Sequence, residues 1–142
     1  SVSAFLLNRS SDLEIFIDTE GRKRSLYGIN GQLTILIFGN PDCNACKEIQ
    51  EVITGIPELS AAIDRGEIKV VDIYIDEDID SWKAGKDSYP SAWINGYDPG
   101  HVIREDLIYN VRAIPSIYLL DADKTVVLKD ASPEMLFSAL GL

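Results

Sequence analysis

The amino-acid sequence predicts an α/β fold, a central mixed β-sheet flanked by helices on both faces and preceded by an N-terminal β-hairpin. Three observations carry this. Two apolar runs of strand type, Leu33–Gly39 and Ile68–Ile75, are separated by two helical patterns, the arrangement of a right-handed parallel crossover. Two short runs, Ile117–Leu120 and Thr125–Lys129, flank Asp121-Ala122-Asp123-Lys124 and read as an antiparallel hairpin at a sheet edge. A last apolar-faced helix then closes the chain.

The elements can be justified in chain order. Leu13, Ile15 and Ile17 alternate with Glu14, Phe16 and Asp18, Glu20-Gly21 signals a turn, and Arg22 to Leu26 returns as a second strand, so a β-hairpin is expected. Asn30-Gly31 is a further turn leading into the buried strand 33–39. Asn40-Pro41-Asp42 breaks that strand, and Lys47 to Ile53 reads as a helix with Ile49, Val52 and Ile53 on one side. Gly55-Ile56-Pro57 interrupts it; Pro57 suits the first turn of a helix over Glu58–Arg65, and Gly66 its C-terminal stop. The β-branched run Ile68–Ile75 is a second central strand, interrupted by Asp72 and Tyr74. Asp76 to Gly100 is irregular, with a short helix expected near Ile79–Ala84 and a short strand near Ala92–Ile94. Ile103 to Tyr109 suits one or two helical turns. Ser132 as N-cap and Pro133 at the first helical position start the last helix, with Leu136, Phe137 and Leu140 as its apolar face.

The chain of 142 residues is read as one domain spanning 1–142, with ordinary apolar (46%) and charged (25%) content. No apolar run approaches the ~20 residues of a membrane span. The net charge of −10 argues against nucleic acid and anionic membrane surfaces as partners. The acidic cluster Asp76-Glu77-Asp78 with Asp80 reads as a solvated loop, because it lacks the glycine and the distal glutamate of an EF-hand loop. Trp82, Trp93, Tyr89 and Tyr97 could line a partner groove or form local core. The chain starts at Ser1, which suggests a mature or trimmed form with any export signal removed from view, so the compartment is not read from a targeting segment.

The chemistry-bearing motif is Cys43-Asn44-Ala45-Cys46, formed by the only two cysteines and placed where the buried strand runs into a helix. Residues three apart on a helix share a face, and their Cα atoms, roughly 5 Å apart, lie within reach of a disulfide. Cys43 would lie among the unpaired N–H groups of the first turn, which favour a thiolate. Cys46, one turn in, is placed to resolve a mixed disulfide. Cys43 is therefore the candidate nucleophile and Cys46 the resolving thiol. A purely structural disulfide of so short a span would stabilise little. Zinc needs about four ligands, and only His101, far off in sequence, could add to the cysteines; no metal is expected. Inert buried thiols are the remaining alternative.

Two segments carry a family resemblance. Leu33 to Glu48, LTILIFGNPDCNACKE, resembles the strand–CxxC–helix of thioredoxin-like proteins, and Tyr109 to Asp121, YNVRAIPSIYLLD, resembles their second signature, in which a cis-proline faces the disulfide. The stretch IDTEGRKRSLYGINGQLTILIF resembles the hairpin before the core strand in the TlpA/ResA-like extracytoplasmic group. The resemblance covers most of the chain and implies a thioredoxin-like fold. It implies a thiol–disulfide oxidoreductase of reductase or isomerase type, needing no cofactor. It makes Pro115 the cis-proline, with the backbone of Ile114 turned outward to pair with an extended substrate segment. It implies protein disulfides as substrates, an upstream thiol as electron donor, a periplasmic or otherwise extracytoplasmic location, and a possible membrane tether through the removed N-terminus.

The chain departs from the family pattern in three places. Asp42 stands where an aromatic residue commonly precedes the first cysteine; it would either oppose the thiolate or act as the helix N-cap. The dipeptide Asn44-Ala45 lacks the proline that many relatives carry. Ile37 occupies the core-strand position where thioredoxins have a buried acid. Asp72, which interrupts the neighbouring buried strand, is the candidate replacement, either relaying a proton to Cys46 or reaching solvent or a backbone donor. The rival functions are a binding module with a structural disulfide and, less well supported, a thiol peroxidase, since position 40 is Asn rather than the threonine such relatives place three before their cysteine.

Overall fold

The computed structural model describes residues 16–99 and 113–142. Its strands are β1 (Phe16–Asp18), β2 (Lys23–Arg24), β3 (Leu33–Gly39), β4 (Ile68–Tyr74), β5 (Ile94–Tyr97), β6 (Ser116–Leu120) and β7 (Val126–Leu128). Its α-helices are α1 (Asn44–Thr54), α2 (Pro57–Asp64), α3 (Ile79–Gly85) and α4 (Pro133–Ala139). The strands form one mixed sheet in the order β2-β1-β5-β4-β3-β6-β7. This is the α/β class that the sequence predicts, including the N-terminal hairpin.

The continuous apolar runs lie at the centre, because a strand covered on both faces needs apolar side chains on both. β3 and β4 run parallel from Leu33↔Ile68 to Gly39↔Tyr74. β6 runs antiparallel to β3 from Phe38↔Ser116 to Thr34↔Leu120. The C-terminal ends of β3 and β4 and the N-terminal end of β6 therefore share one edge of the sheet, and the site is built there.

Alternation along the strands makes two cores. Leu36, Phe38, Val71, Ile73 and Tyr118 pack with Phe16, Leu26 and Ile29 on one face. Ile35, Ile37, Val70, Ile117 and Leu119 pack with Ile53 of α1, Leu59 and Ile63 of α2 and Leu136 of α4 on the other. Each fully buried side chain of this size contributes about 1.5–3 kcal/mol. The helical turns expected over Ile103–Tyr109, together with Leu13, Ile15 and His101, lie outside the described residues.

Several expected boundaries shift. The alternation expected in β1 is reversed: Phe16 is wholly buried and Asp18 nearly so, while Ile17 is half-buried. Asp18 tolerates this position because its carboxylate accepts from the backbone N–H groups of Glu20 and Arg22 and from the Arg24 guanidinium. Burial raises its pKa, but those donors outweigh it and hold the carboxyl below its usual range. The returning strand stops at Arg24, because Ser25 caps a 3-10 turn over Leu26–Gly28. Val52 is exposed, so the inner stripe of α1 runs through Ile49 and Ile53.

The strand expected near Ala92–Ile94 begins at Ile94 and continues to Tyr97. Gly96 lies against the Ile17 carbonyl and the Phe16 ring, where any Cβ would collide with β1. Trp93 and Trp82 are buried, and Tyr97 stacks obliquely on Trp82 at 4.9 Å.

Candidate active site

β3 ends at Gly39, and the chain turns through Asn40-Pro41-Asp42 into α1. Asn40 organises this turn. Its side-chain oxygen accepts from the Asp42 N–H at 2.8 Å, its carbonyl accepts from the Cys43 N–H at 3.2 Å, and its amide donates to Asp76 at 3.2 Å beyond the end of β4. α3 supports the turn from outside. Ser81 donates to Asp42 Oδ2 at 2.9 Å. Gly85 lies so close to Pro41 that a side chain there would overlap its ring.

Cys43 occupies the N-cap of α1 in extended geometry (φ −92°, ψ 121°), and its Sγ accepts from the Cys46 N–H at 3.3 Å. This corrects the expectation that Asp42 is the N-cap. Asn40 holds the Asp42 backbone one residue too early, and Ser81 draws its carboxylate away from the helix. An amide N–H on sulfur stabilises the anionic form of a nucleophile, and it comes here from the partner cysteine's own backbone.

Both cysteines are free and half-buried. Burial chiefly pushes the Cys46 thiol up to about 12; Cys43 and the Asp72 carboxylate push the same way, while the Asn40 N–H opposes them. Asp72 sits beneath this thiol. A Cβ on Gly39 would lie 3.3 Å from Asp72 Oδ1 and 3.4 Å from Cys46 Sγ, so the sulfur and the carboxyl both approach the bare backbone of Gly39. Asp72 is 5% exposed, and its Oδ1 has no hydrogen-bond partner. Desolvation raises its pKa from 3.8 to about 8. It does not reach a backbone donor.

Pro115 immediately precedes β6, whose Ser116 pairs with Phe38, so it lies at the same sheet edge as Gly39 and the cysteine turn. The Ile114–Pro115 peptide bond is cis. Ile114 is half-buried against the core on the face away from α1.

Sequence reasoning missed how Gly39, Ser81 and Gly85 shape the site, and left Tyr89 undecided between groove and core. Tyr89 packs against the α1-side core, and its phenol is raised by burial first and then by Asp72, Cys46, Asp42 and Cys43, which places it beside the thiols. Only Gly39 carried a legible signal, since a glycine closing a buried strand marks close approach of another group. Tyr74 lies on the acidic side: burial raises its pKa, and the Asp76, Asp78 and Asp42 carboxylates add to that. Asp78 N-caps α3. Among the described residues no cluster of metal-ligating side chains is formed, and no helix is long and apolar enough to cross a membrane.

Comparison with known proteins adds to this geometry. The model of the thioredoxin-like domain family matches residues 21–139. A conserved protein of unknown function from Bacteroides fragilis is 33% identical, with a TM-score of 0.86 over 89% of this chain and 92% of that one. A thioredoxin-like protein from Bacteroides caccae is 37% identical, with a TM-score of 0.84 over 89% of this chain and 46% of that one. The thioredoxin domain of a thiol-disulfide oxidoreductase from Bacteroides vulgatus, 20% identical, has the same fold, with a TM-score of 0.73 over 89% of each chain. No curated protein matches.

Proposed function

The chain belongs to the thioredoxin-like family, and from that premise we propose that it is a thiol–disulfide oxidoreductase acting on protein disulfides in the reducing direction. One observation carries this: a two-cysteine turn at the end of a central strand, with Cys43 capping the helix and Cys46 held over a buried carboxyl. Solved relatives of the same fold that are named thiol-disulfide oxidoreductases support it.

In the first step the Cys43 thiolate attacks one sulfur of a substrate disulfide, forming a mixed disulfide and releasing the other sulfur as a thiolate. In the second, Cys46 loses its proton to Asp72 and attacks Cys43 Sγ. The second substrate sulfur leaves and takes a proton from water. Two electrons pass to the substrate, and the pair ends as the Cys43–Cys46 disulfide, which an upstream dithiol reduces again. Cys46 needs the proton acceptor because burial makes its thiol a weak acid. The substrate segment lies against the outward backbone of Ile114, before Pro115, as an added strand.

The reducing direction follows from electrostatics. The burial of Cys46 and the Asp72 carboxylate disfavour thiolate at Cys46, and hence the reduced state that thiolate would stabilise. An extracytoplasmic location fits the resemblance of the N-terminal hairpin and is proposed with it.

The test is reduction of insulin by dithiothreitol. Catalysis should vanish in Cys43→Ser, and Cys46→Ser should accumulate a mixed disulfide. Asp72→Asn should slow resolution about 10²-fold. A catalytically silent protein whose disulfide resists mild reductant would instead be a binding module. A potential near about −120 mV would refute the reducing direction.

A further inference from the structure

Asn95 stands beside Asp72. The two are paired in register on the parallel strands β5 and β4, so their side chains leave the same face of the sheet. Both are more than nine-tenths buried, at 7% and 5% exposure. Each has a side-chain oxygen, Oδ1, without a hydrogen-bond partner.

An asparagine in a buried strand needs a reason, since its amide loses water on both sides. Here the nitrogen is accounted for: Nδ2 donates to the Lys86 carbonyl at 3.5 Å. That contact fixes which end is which, because the reversed amide would set oxygen against oxygen. Asn95 therefore offers the interior an acceptor only. An ionised Asp72 offers acceptors only as well, and two such neighbours repel. A protonated Asp72 supplies the missing donor. The titratable groups around Asp72 among the described residues are Cys43 and Cys46 from α1 and Tyr89 after α3. β3 presents Ile37 and Gly39 to it, and among the described residues no cation acts on it.

We propose that Asn95 is a positioning residue for the exchange reaction, its Oδ1 accepting the hydrogen bond of the protonated Asp72 carboxyl. This rests on the relay role of Asp72 proposed above. The proton balance is simple: Cys46 S–H and Asp72 carboxylate become Cys46 thiolate and an Asp72 O–H donated to Asn95. The reverse transfer restores both when the disulfide is reduced again. Asn95 makes Asp72 the better proton acceptor without touching sulfur or substrate.

The experiment is a carbon-13 NMR titration of the Asp72 carboxyl in the reduced full chain, comparing wild type with Asn95→Leu. Leucine has the same branching and number of heavy atoms, in a larger side chain with no polar atom. If Asn95 only fills space, greater burial should push the Asp72 titration upward or leave it in place. If Asn95 holds the proton, its loss should lower the midpoint by about one pH unit, the scale of one buried hydrogen bond. A downward shift supports the proposal; an unchanged or higher midpoint overturns it. Asn95→Val, with a side chain strands prefer, carries the same expectation should leucine not be accommodated. No substrate is present, so the outcome is independent of the relay itself. Unchanged exchange kinetics in Asp72→Asn would overturn the relay, while the direction of the titration shift decides the Asn95 hydrogen bond on its own.

Discussion

Replacing Asp72 with asparagine should make the protein more stable in alkali and leave acid stability nearly as it was. Asp72 lies in the row Ile117, Ile37, Asp72, Asn95 across the sheet, with an unpartnered oxygen. Burial moves its pKa from 3.8 to about 8. Below pH 3.8 folded and unfolded chains both hold the proton, and this residue's contribution is fully present. As pH rises from there toward 8, only the folded state keeps the proton, so stability falls; above 8 the folded carboxyl is ionised and the fall ends. About four pH units at ~1.4 kcal/mol each set a ceiling of about 5–6 kcal/mol, of which relaxation and water entry leave several. The side chain of Asp72→Asn does not titrate and removes this slope. The assay is urea denaturation of both proteins at pH 5, 7 and 9 with the cysteines kept reduced. The variant's advantage should grow by ~2–4 kcal/mol from pH 5 to pH 9. Cys46 ionisation in the unfolded chain lowers both curves alike at the alkaline end. A stability difference that stays constant across the range would refute the buried-carboxyl argument.

Other expectations follow from single contacts. Gly85→Ala should displace Pro41 and loosen the cysteine turn, costing ~1–3 kcal/mol, and should slow insulin reduction more than a surface glycine substitution does. Gly96→Ala sets a Cβ against the Ile17 carbonyl, which cannot move aside as a side chain could. It should cost about 3 kcal/mol, with hydrogen exchange rising first in β1 and β2. Ser132→Ala removes the oxygen that accepts from the Met135 N–H and should lower Tm by about 3 °C for ~1 kcal/mol, leaving exchange rates unchanged.

Much of the fold was legible because its strongest signals are local and redundant. β3 and β4 announce themselves as unbroken apolar runs. Pro57 and Ser132-Pro133 mark helix starts, and Gly66, at φ +79°, marks a stop. Failures came where tertiary contact overrode local preference. Asn95 to Tyr97 lie in a stretch that reads as irregular, yet form strand, with Gly96 leaving room for β1 beside it. Asp18 reads as outward, yet is buried because the hairpin turns three donors onto it. Val52 has an apolar side chain with no site on the sheet, since the stripe of α1 is fixed by Cys46, Ile49 and Ile53. The cysteine pair was legible for the same reason as the strands, being short-range in sequence. Of the two roles open to Asp42, capping falls to Cys43 instead, because capping depends on which neighbour turns first, and Asn40 holds the Asp42 backbone in the turn before the helix.

The buried acid shows how a sheet permits a chemical role to change strands. A group that exchanges a proton with Cys46 need only arrive under its sulfur; the strand that brings it is immaterial. Ile37 and Asp72 are register partners on adjacent parallel strands, so their side chains leave the same face one strand apart. Moving the carboxyl from the first position to the second is compatible with the same thiol because Gly39, two residues beyond Ile37, has no side chain to separate acid from sulfur. This predicts a dependence between positions distant in sequence. With Gly39→Ala the methyl group would enter the space between Asp72 and Cys46, so the thiol should lose most of the coupling to Asp72 while keeping Cys43 as cap. In that background Asp72→Asn should have little further effect on resolution of the mixed disulfide. Additive effects of the two substitutions would show that the bare backbone of Gly39 is not what couples Asp72 to Cys46.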